Sequence, residues 1–312
     1  MSPINLISIV GAGHSGSTLL DLVLGAHPKI WSIGEINNWE QYVNYDNDNK
    51  VCSCGSPPES CDFWSPIVVK WREYLSSRGD SNSLIDTRTL SVKGTINLMR
   101  HRLCLLLTLL FPMHKHQGVM NSISPDFKER ANSNLALFKM IRTASDRPIL
   151  CDSSKSVYRF RLLHAQNPET AKAIFLTRDG RAIAASQLKR CGTEPSKSAK
   201  NWRFTNLYTK LMLRTLPKNS YLHVRYEELC REPEATLERI CSFIGCTYDP
   251  KMLDFDDATR HNIGGNRMRM TTVREIREDL KWREAFSDAQ LTAFNKVAGK
   301  LNTKLLGNYY QP

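Results

Sequence analysis

A glycine-rich segment at residues 11–18, GAGHSGST, carries the clearest chemical signal in the sequence. It follows an apolar run and precedes a leucine-rich stretch, an order that predicts a strand, a turn and a helix. The spacing of Gly11 and Gly16 and the hydroxyl of Thr18 match the phosphate-binding loop G-x-x-x-x-G-K-[ST]. Glycines let backbone N–H groups approach an anion, and the start of the following helix adds a favourable field. We therefore expect this loop to bind a phosphate group.

The loop departs from that pattern at one position, because Ser17 stands where the lysine is expected. The missing lysine is the group that reaches the β- and γ-phosphates of a nucleoside triphosphate. Its absence disfavours an ATPase or an ordinary kinase and suits a single 5′-phosphate or phosphosulfate. The plainer interpretation is a glycine-rich turn without a ligand.

Residues 13–20 (GHSGSTLL), followed by 26–28 (AHP), resemble the 5′-phosphosulfate loop of sulfotransferases that use PAPS (3′-phosphoadenosine-5′-phosphosulfate). The bacterial and protein-tyrosine types of this family commonly have R-S-G-T-T-L-L, ending in A-H-P. The resemblance implies that the donor is bound by Gly13, His14, Ser15, Gly16, Ser17 and Thr18. His14 stands where the family has Arg or Lys, and it is expected to donate to the bridging oxygen or leaving phosphate with a charge that depends on pH.

A second segment, residues 176–186 (LTRDGRAIAAS), resembles the family's 3′-phosphate motif R-D-P-R-x-x-x-x-S, with Gly180 in place of proline. Arg178 carries a fork-shaped donor, and Ser186 lies two helical turns further along. This spacing can place both on one side of the start of a helix, where they can bind one phosphate. Arg181 is expected to form a structural ion pair instead.

Two further segments resemble parts of the same family. Residues 224–229 (VRYEEL) resemble its Y-E-x-L segment, which implies that Tyr226 contacts the nucleotide; the alternative is a core aromatic at the end of a strand. Residues 264–269 (GGNRMR) resemble the flexible basic loop that closes over the donor. There Asn266 and either Arg267 or Arg269 are expected at the phosphates, and the sequence does not choose between the two arginines.

Sulfonate transfer needs a nucleophilic acceptor, in-line geometry and stabilisation of the leaving phosphate, which positioning and electrostatics can supply. Glu35 resembles the glutamate that tyrosylprotein-type enzymes use as the base. The alternative is that Glu35 is a surface residue at the start of a helix, where a carboxylate is favoured. Glu40 is a weaker candidate for the base. Lys155 follows a predicted strand at its carboxyl end, and relatives carry a lysine near this point that contacts the sulfonate. Glu35, His14 and Lys155 are thus the expected catalytic residues, and the reaction needs no metal.

Apolar runs at residues 4–10, 148–151, 171–177 and 221–224 alternate with amphipathic segments. This alternation predicts an α/β fold, a P-loop-like three-layer sandwich with a central, mainly parallel sheet and helices on both faces. We expect one domain over residues 1–312, with a helical cap inserted at about 44–147.

The composition indicates a globular protein with an excess of positive charge. Lys and Arg number 43 against 31 Asp and Glu, a formal net charge of +12. Such a charge suits polyanionic partners, although the charge alone favours a solvated basic surface. Because no basic run or regular mixture of basic and aromatic residues is present, we expect no nucleic-acid partner.

The cellular location is also an expectation. Residues 1–10 lack a basic region and lead into the glycine-rich turn, so a strand is predicted there rather than a signal peptide. The longest apolar stretch, residues 103–113, is too short to cross a bilayer, and no membrane partner is expected. Nine cysteines, an odd number, favour the reducing cytoplasm.

Three cysteines lie close together in the sequence, at Cys52, Cys54 and Cys61. Their spacing is not that of a known zinc finger and no fourth ligand is evident, so free thiols or a local structural link are favoured over a metal.

Two other function classes stay open. A phosphate-loop kinase or other phosphotransferase would need the lysine that is missing at position 17 and an acidic strand end for Mg²⁺. A non-catalytic basic protein that binds nucleotides or nucleic acid would show affinity without turnover and a steep salt dependence. The acceptor is expected to be a small molecule, such as a secondary metabolite with a hydroxyl or amine, and no motif indicates the oligomeric state.

Overall fold

The protein is built on one five-stranded parallel sheet. The computed structural model describes residues 5–43, 50–78, 126–255, 260–271 and 275–309. The strands are β1 (Asn5–Gly11), β2 (Ile30–Gly34), β3 (Ile149–Lys155), β4 (Ala171–Thr177) and β5 (Tyr221–Arg225). Their order across the sheet is β2-β3-β1-β4-β5, and every neighbouring pair is parallel. The strand that leads into the glycine-rich loop therefore lies at the centre.

Helices cover both faces of this sheet. In chain order within the described residues they are α1 (Ser17–Gly25), α2 (Trp39–Val43), α3 (Ser65–Ser76), α4 (Asp126–Ser145), α5 (Val157–Gln166), α6 (Gly180–Cys191), α7 (Pro195–Arg214), α8 (Tyr226–Arg231), α9 (Pro233–Ile244), α10 (Trp282–Ala285) and α11 (Asp288–Leu306). Helices α3, α4, α5 and α7 contribute to the apolar cluster on one face, and α1, α8 and α9 contribute to the cluster on the other. The predicted α/β class with helices on both faces is confirmed.

The two apolar clusters explain why β1 is a continuous apolar run. Leu6 and Val10 belong to one cluster, whereas Ile7 and Ile9 belong to the other. Successive side chains of a strand point to opposite faces, so a strand covered on both sides must be apolar at nearly every position. All four side chains are buried.

The sequence predicted four of these five strands, with ends that differ by a few residues. β2 was not predicted; it is only five residues long and extends from the turn that follows α1. Of the cap expected at residues 44–147, the described part contains α3 and α4, while residues 44–49 and 79–125, including the apolar stretch at 103–113, lie outside the described residues. Among the helices that the structure describes, none combines the length and the apolar character that a membrane crossing requires.

Gly180, the first residue of α6, allows this helix to pack closely against α7 and α11. A Cβ atom at this position would lie 2.7 Å from Cζ of Phe294 in α11 and 2.8 Å from Cδ2 of Trp202 in α7. Both aromatic side chains belong to one buried cluster, so neither has room to move away. The backbone N–H of Gly180 also donates to Oδ1 of Asn302 at 2.8 Å, which fixes the helix start.

We therefore expect Gly180→Ala to lower the free energy of unfolding by about 1–3 kcal/mol, the usual range for overpacking a core. Denaturant unfolding of wild type and variant gives this difference directly. Gly299→Ala, within α11, is the matched control, because a Cβ atom there meets only ordinary contacts at 3.4 Å or more. That change should be neutral or stabilise the helix by up to about 1 kcal/mol. Equal midpoints for Gly180→Ala and wild type would show that the helix packing is looser than described.

Candidate active site

All five strands deliver a predicted site residue to the same edge of the sheet. The glycine-rich loop follows β1, Glu35 follows β2, Lys155 ends β3, Arg178 follows β4 and Tyr226 follows β5. The carboxyl ends of parallel strands meet at one edge, where α/β proteins form their ligand sites. A cavity of about 640 Å³ opens there. The predicted residues that line it are Gly13, His14, Gly16, Ser17, Thr18, Glu35, Lys155, Arg178, Ser186, Tyr226 and Asn266.

The loop has the backbone that a phosphate site requires. Gly16 caps α1 in the left-handed conformation with φ of 88°, a region that favours glycine. A Cβ atom at Gly16 would lie 2.3 Å from Cδ2 of Tyr226, so a larger residue is also excluded by contact. Ser17 then begins α1, whose first N–H groups have no partner within the helix. The strand, turn and helix predicted from the sequence are confirmed.

Arg178 lies against the ring of Tyr226, on the far side of the cavity from β2. Its guanidinium carbon is 4.3 Å from the ring centroid, and Nη1 donates to the carbonyl oxygen of His14 at 3.2 Å. Nη2 donates to the carbonyl oxygen of Asp279 at 3.3 Å and lies 3.7 Å from its carboxylate. The side chain is only 11% exposed, so these contacts hold its fork in a fixed orientation at the cavity wall.

Tyr226 acts as a fixed wall rather than as a base. Burial raises the pKa of its phenol well above the usual value, so the hydroxyl keeps its proton. The hydroxyl donates to the carbonyl oxygen of Arg277 at 2.8 Å. This bond ties the cavity wall to the segment that carries Arg277 and Asp279, which also line the cavity.

A buried network fixes the start of α6, the helix that carries Ser186. Arg181 forms an ion pair with Asp179 at 2.7 Å, as the sequence predicted, and the Asp179 carboxylate also accepts from Asn302 at 2.9 Å. The backbone N–H of Asp179 donates to Oε1 of Glu227 at 2.8 Å. Burial raises the pKa of Glu227 to about 7. These bonds hold the backbone just after Arg178, and they therefore also hold the positions from which Arg178 and Ser186 reach the cavity.

Glu35 and Lys155 meet across the cavity and form an ion pair. The backbone N–H of Glu35 donates to the carbonyl oxygen of Ile263 at 2.6 Å, which holds the chain as it leaves β2. Lys155 has φ of 65°, a conformation that is uncommon for a residue with a side chain. Both side chains remain about one-fifth exposed, so a molecule in the cavity can reach them. The sequence did not predict that these two residues pair.

The remaining predicted residues lie elsewhere. Ser15 is buried in the loop. Arg269 is buried and donates to the carbonyl oxygens of Asn262 and Val51 at 3.0 and 2.9 Å, while Arg267 is exposed. None of these three is among the described residues that line the cavity.

Two other arginines line the cavity and were not predicted from the sequence. Arg190 lies one helical turn beyond Ser186 on α6, a spacing that places the two on one face and that the sequence could have revealed. Arg277 comes from a segment that returns to the site late in the chain, and no motif marks it. Glu275 and Asp279, from the same segment, add carboxylates at the cavity wall.

The charge of His14 is reduced by its surroundings. Burial is the main cause that lowers its pKa, and the charges of Arg190, Lys155 and Arg178 lower it further. At neutral pH His14 is therefore mainly neutral and can donate one hydrogen bond, rather than serve as a permanent cation.

The donor set of the cavity fits a nucleotide with separate anionic groups. Lys155, Arg178, Arg190 and Arg277 supply positive charge on several sides. Hydroxyls of the loop and of Ser186, with the N–H groups at the start of α1, supply further donors. Arginine forks and helix N-termini are the groups that proteins use for phosphate and sulfate. The residues present therefore suit a donor with one anionic group at the loop and another at Arg178.

Part of the chain matches a known protein family. Residues 115–250 match a protein-family model described as the sulfotransferase family. The matched segment contains β3, β4 and β5, and so includes Lys155, Arg178 and Tyr226. The chain has no significant match among curated protein sequences.

Among solved structures, the chain is similar to the sulfotransferase domain from the curacin biosynthetic pathway, with 15% identity, full coverage of both chains and a TM-score of 0.52. The sulfotransferase domain from the Synechococcus PCC 7002 olefin synthase gives 21% identity, coverage of 100% of this chain and 97% of that chain, and a TM-score of 0.48. Sulfotransferase STF9 from Mycobacterium avium gives 11% identity, coverage of 99% and 76%, and a TM-score of 0.47.

Over residues 115–250 the chain matches the sulfotransferase family, and its fold is similar to that of the sulfotransferase domain from the curacin pathway.

Proposed function

We propose that this protein transfers a sulfonate group from PAPS to a hydroxyl or amine of a small-molecule acceptor. The observation that carries the proposal is the cavity, which brings the glycine-rich loop, Arg178 with Ser186, and the Glu35–Lys155 pair into contact with one space. A triphosphate site would require a lysine at position 17, where the chain has serine.

The donor would be held at its two anionic ends. Loop residues 13–18 would hold the 5′-phosphosulfate through backbone N–H groups and hydroxyls, and Arg178 and Ser186 would hold the 3′-phosphate. Tyr226 would contact the nucleotide. Asn266 would act at the phosphates within the closing loop together with Arg267 or Arg269, and the exposed Arg267 is the freer of these two arginines. The bound donor supplies an activated sulfonate group.

Glu35 would accept the proton of the acceptor as the acceptor oxygen or nitrogen bonds to sulfur. The bond from sulfur to the bridging oxygen breaks, and its electron pair stays on the departing 5′-phosphate. Lys155, His14 and the start of α1 would stabilise the charge that grows on that oxygen. The Glu35–Lys155 pair already places the base and the cation side by side. These groups suffice for the transfer, so no metal is expected in the reaction.

The acceptor is proposed from the same features. The cavity has room for a small molecule beside the donor, and the structural neighbour from the curacin pathway is part of a biosynthetic route. We propose that the acceptor is a metabolite, for example one from secondary metabolism. We also propose that the protein acts in the cytoplasm, in keeping with the described cysteines, which form no disulfide.

The first prediction concerns PAP (3′-phosphoadenosine-5′-phosphate), the product that remains after the sulfonate has left. PAP should raise the melting temperature of the wild type much more than 5′-AMP, because only PAP has the 3′-phosphate that Arg178 binds. Arg178→Ala should bind PAP about 10-fold or more weakly, as expected for a lost charge-assisted hydrogen bond. Thermal unfolding against PAP concentration measures both effects, each variant being compared with its own ligand-free form.

Arg214→Ala is the control for the removal of positive charge, because Arg214 is an exposed residue of the last turn of α7 and does not line the cavity. Its response to PAP should equal that of the wild type. Stabilisation by ATP with Mg²⁺ but not by PAP would contradict the proposal and favour a phosphotransferase.

The second prediction concerns the base. Glu35→Gln should reduce kcat by about 10²–10⁴, the usual contribution of general base catalysis, while PAP affinity stays within a few-fold of wild type. Transfer from labelled PAPS to a panel of phenols, alcohols and amines would identify an acceptor, and the variant is then measured with that acceptor.

Glu40→Gln is the matched control, because Glu40 lies in the first turn of α2 and is not among the described residues that line the cavity. It should keep a rate close to that of the wild type. If Glu35→Gln kept the wild-type rate and Glu40→Gln lost it, Glu40 would be the base.

A further inference from the structure

Outside the cavity, the structure brings four potential metal ligands together. They are Cys52, Cys54, Cys61 and His261, here called the Cys3His cluster. All four ligand atoms lie within 4.8 Å of one another. The sequence showed only the three cysteines, because the histidine lies 200 residues beyond Cys61. The fold supplies the fourth ligand that the spacing could not show.

Three distances within the cluster are close to those of a tetrahedral site, two within its range and one slightly shorter. Sγ of Cys54 is 3.6 Å from Sγ of Cys61, and Nδ1 of His261 is 3.2 Å from Sγ of Cys61 and 3.7 Å from Sγ of Cys52. Zinc binds sulfur at about 2.3 Å and nitrogen at about 2.0 Å, so ligand atoms around a tetrahedral ion lie roughly 3.5–3.8 Å apart. We propose that the Cys3His cluster binds one zinc ion as a four-coordinate structural site.

Backbone hydrogen bonds close a tight turn around the first two sulfurs. Cys52 donates its N–H to the carbonyl oxygen of Ser56 at 2.8 Å, and Gly55 donates its N–H to the carbonyl oxygen of Cys52 at 2.9 Å. Such bonds fix the backbone that carries the ligands, as outer contacts do in metal sites.

The imidazole is held with Nδ1 towards the sulfurs. The ring of His261 stacks on Phe63 with centroids 5.4 Å apart and on Trp31 at 6.1 Å. Nε1 of Trp64 donates to the carbonyl oxygen of His261 at 2.6 Å. Phe63 and Trp64 belong to the same segment as Cys61, so the residues that follow this cysteine also hold His261 in place.

A second group of possible metal ligands consists of His27, Cys241 and Cys246. It is less suited to zinc than the Cys3His cluster. Both ring nitrogens of His27 already have partners: Nε2 donates to the carbonyl oxygen of Thr247 at 2.8 Å, and Nδ1 accepts from the N–H of Lys29 at 3.0 Å. This imidazole has no lone pair for a metal. The second group also has three ligands, whereas structural zinc sites have four.

The proposed ion would fasten the cysteine-bearing loop to β2, the strand that Glu35 follows. Next to His261, Asn262 exchanges hydrogen bonds with Ser53 at 2.9 and 3.1 Å. Ile263 then pairs with β2 and accepts the N–H of Glu35. None of the four ligand residues is among the described residues that line the cavity. The site is therefore structural, and it does not depend on PAPS being the donor.

The test is the metal content of the full chain, purified from cells grown with added zinc and dialysed at length. Elemental analysis should give about one zinc ion per wild-type chain. Cys54→Ser should lower the zinc content per chain at least about tenfold, because the substitution removes a ligand. The Cys54 side chain is exposed, so this variant is expected to stay folded, which circular dichroism checks. Cys246→Ser, from the second group, is the matched control and should keep its zinc.

A second measurement does not depend on a variant. Wild type loaded with Co²⁺ should show the intense visible and near-ultraviolet bands of tetrahedral cobalt bound to thiolates. Removal of zinc with a chelator should lower the melting temperature of the wild type and of Cys246→Ser. Wild type without zinc and with a mass lower by two hydrogen atoms would show a disulfide and overturn the proposal. Equal zinc in Cys54→Ser and wild type would overturn it as well.

Discussion

The ring of Tyr226 touches both halves of the proposed donor site. It fills the space where a side chain at Gly16 would lie, and it supports the guanidinium of Arg178 at 4.3 Å. Tyr226 can reach both because β1, β4 and β5 are neighbouring parallel strands that end at one edge of the sheet. The distance between the proposed anion sites at the loop and at Arg178 is therefore set by the spacing of the strands. A ligand bound at both proposed sites would carry two anionic groups at that separation.

Ion pairs bind several of the charged groups in and beside the cavity. Arg181 and Asp179 are buried and satisfy each other, which leaves Arg178 as the arginine of this turn that faces the cavity. Glu35 and Lys155 neutralise each other at the opposite side. Such a pair places a carboxylate and an ammonium group side by side at the cavity wall. Burial, and after it the positive charge of Arg190, Lys155 and Arg178, lowers the pKa of His14, so that at neutral pH this side chain is a neutral hydrogen-bonding group.

Much of this arrangement could be predicted from the sequence, and the failures have a common cause. The central strand, the loop and α1 are local features, and their apolar period and glycine spacing are visible within twenty residues. Arg178 and Ser186 lie on one strand–helix unit, and the resemblance of this short segment to a family motif indicated both. The Glu35–Lys155 pair, Arg277 and the approach of His261 to the cysteines join segments more than a hundred residues apart, and no pattern within either segment reveals its partner. β2 was missed because five residues are too few for an alternation to stand out.

The central claim is that one cavity binds both ends of the sulfonate donor, and a crystal structure with PAP tests it most directly. The account predicts that the 5′-phosphate accepts hydrogen bonds from backbone N–H groups of residues 14–18. It also predicts that the 3′-phosphate lies within about 3.2 Å of donor atoms of Arg178 and Ser186. PAP bound outside this cavity, or bound with its 3′-phosphate in solvent and in contact with neither residue, would contradict it.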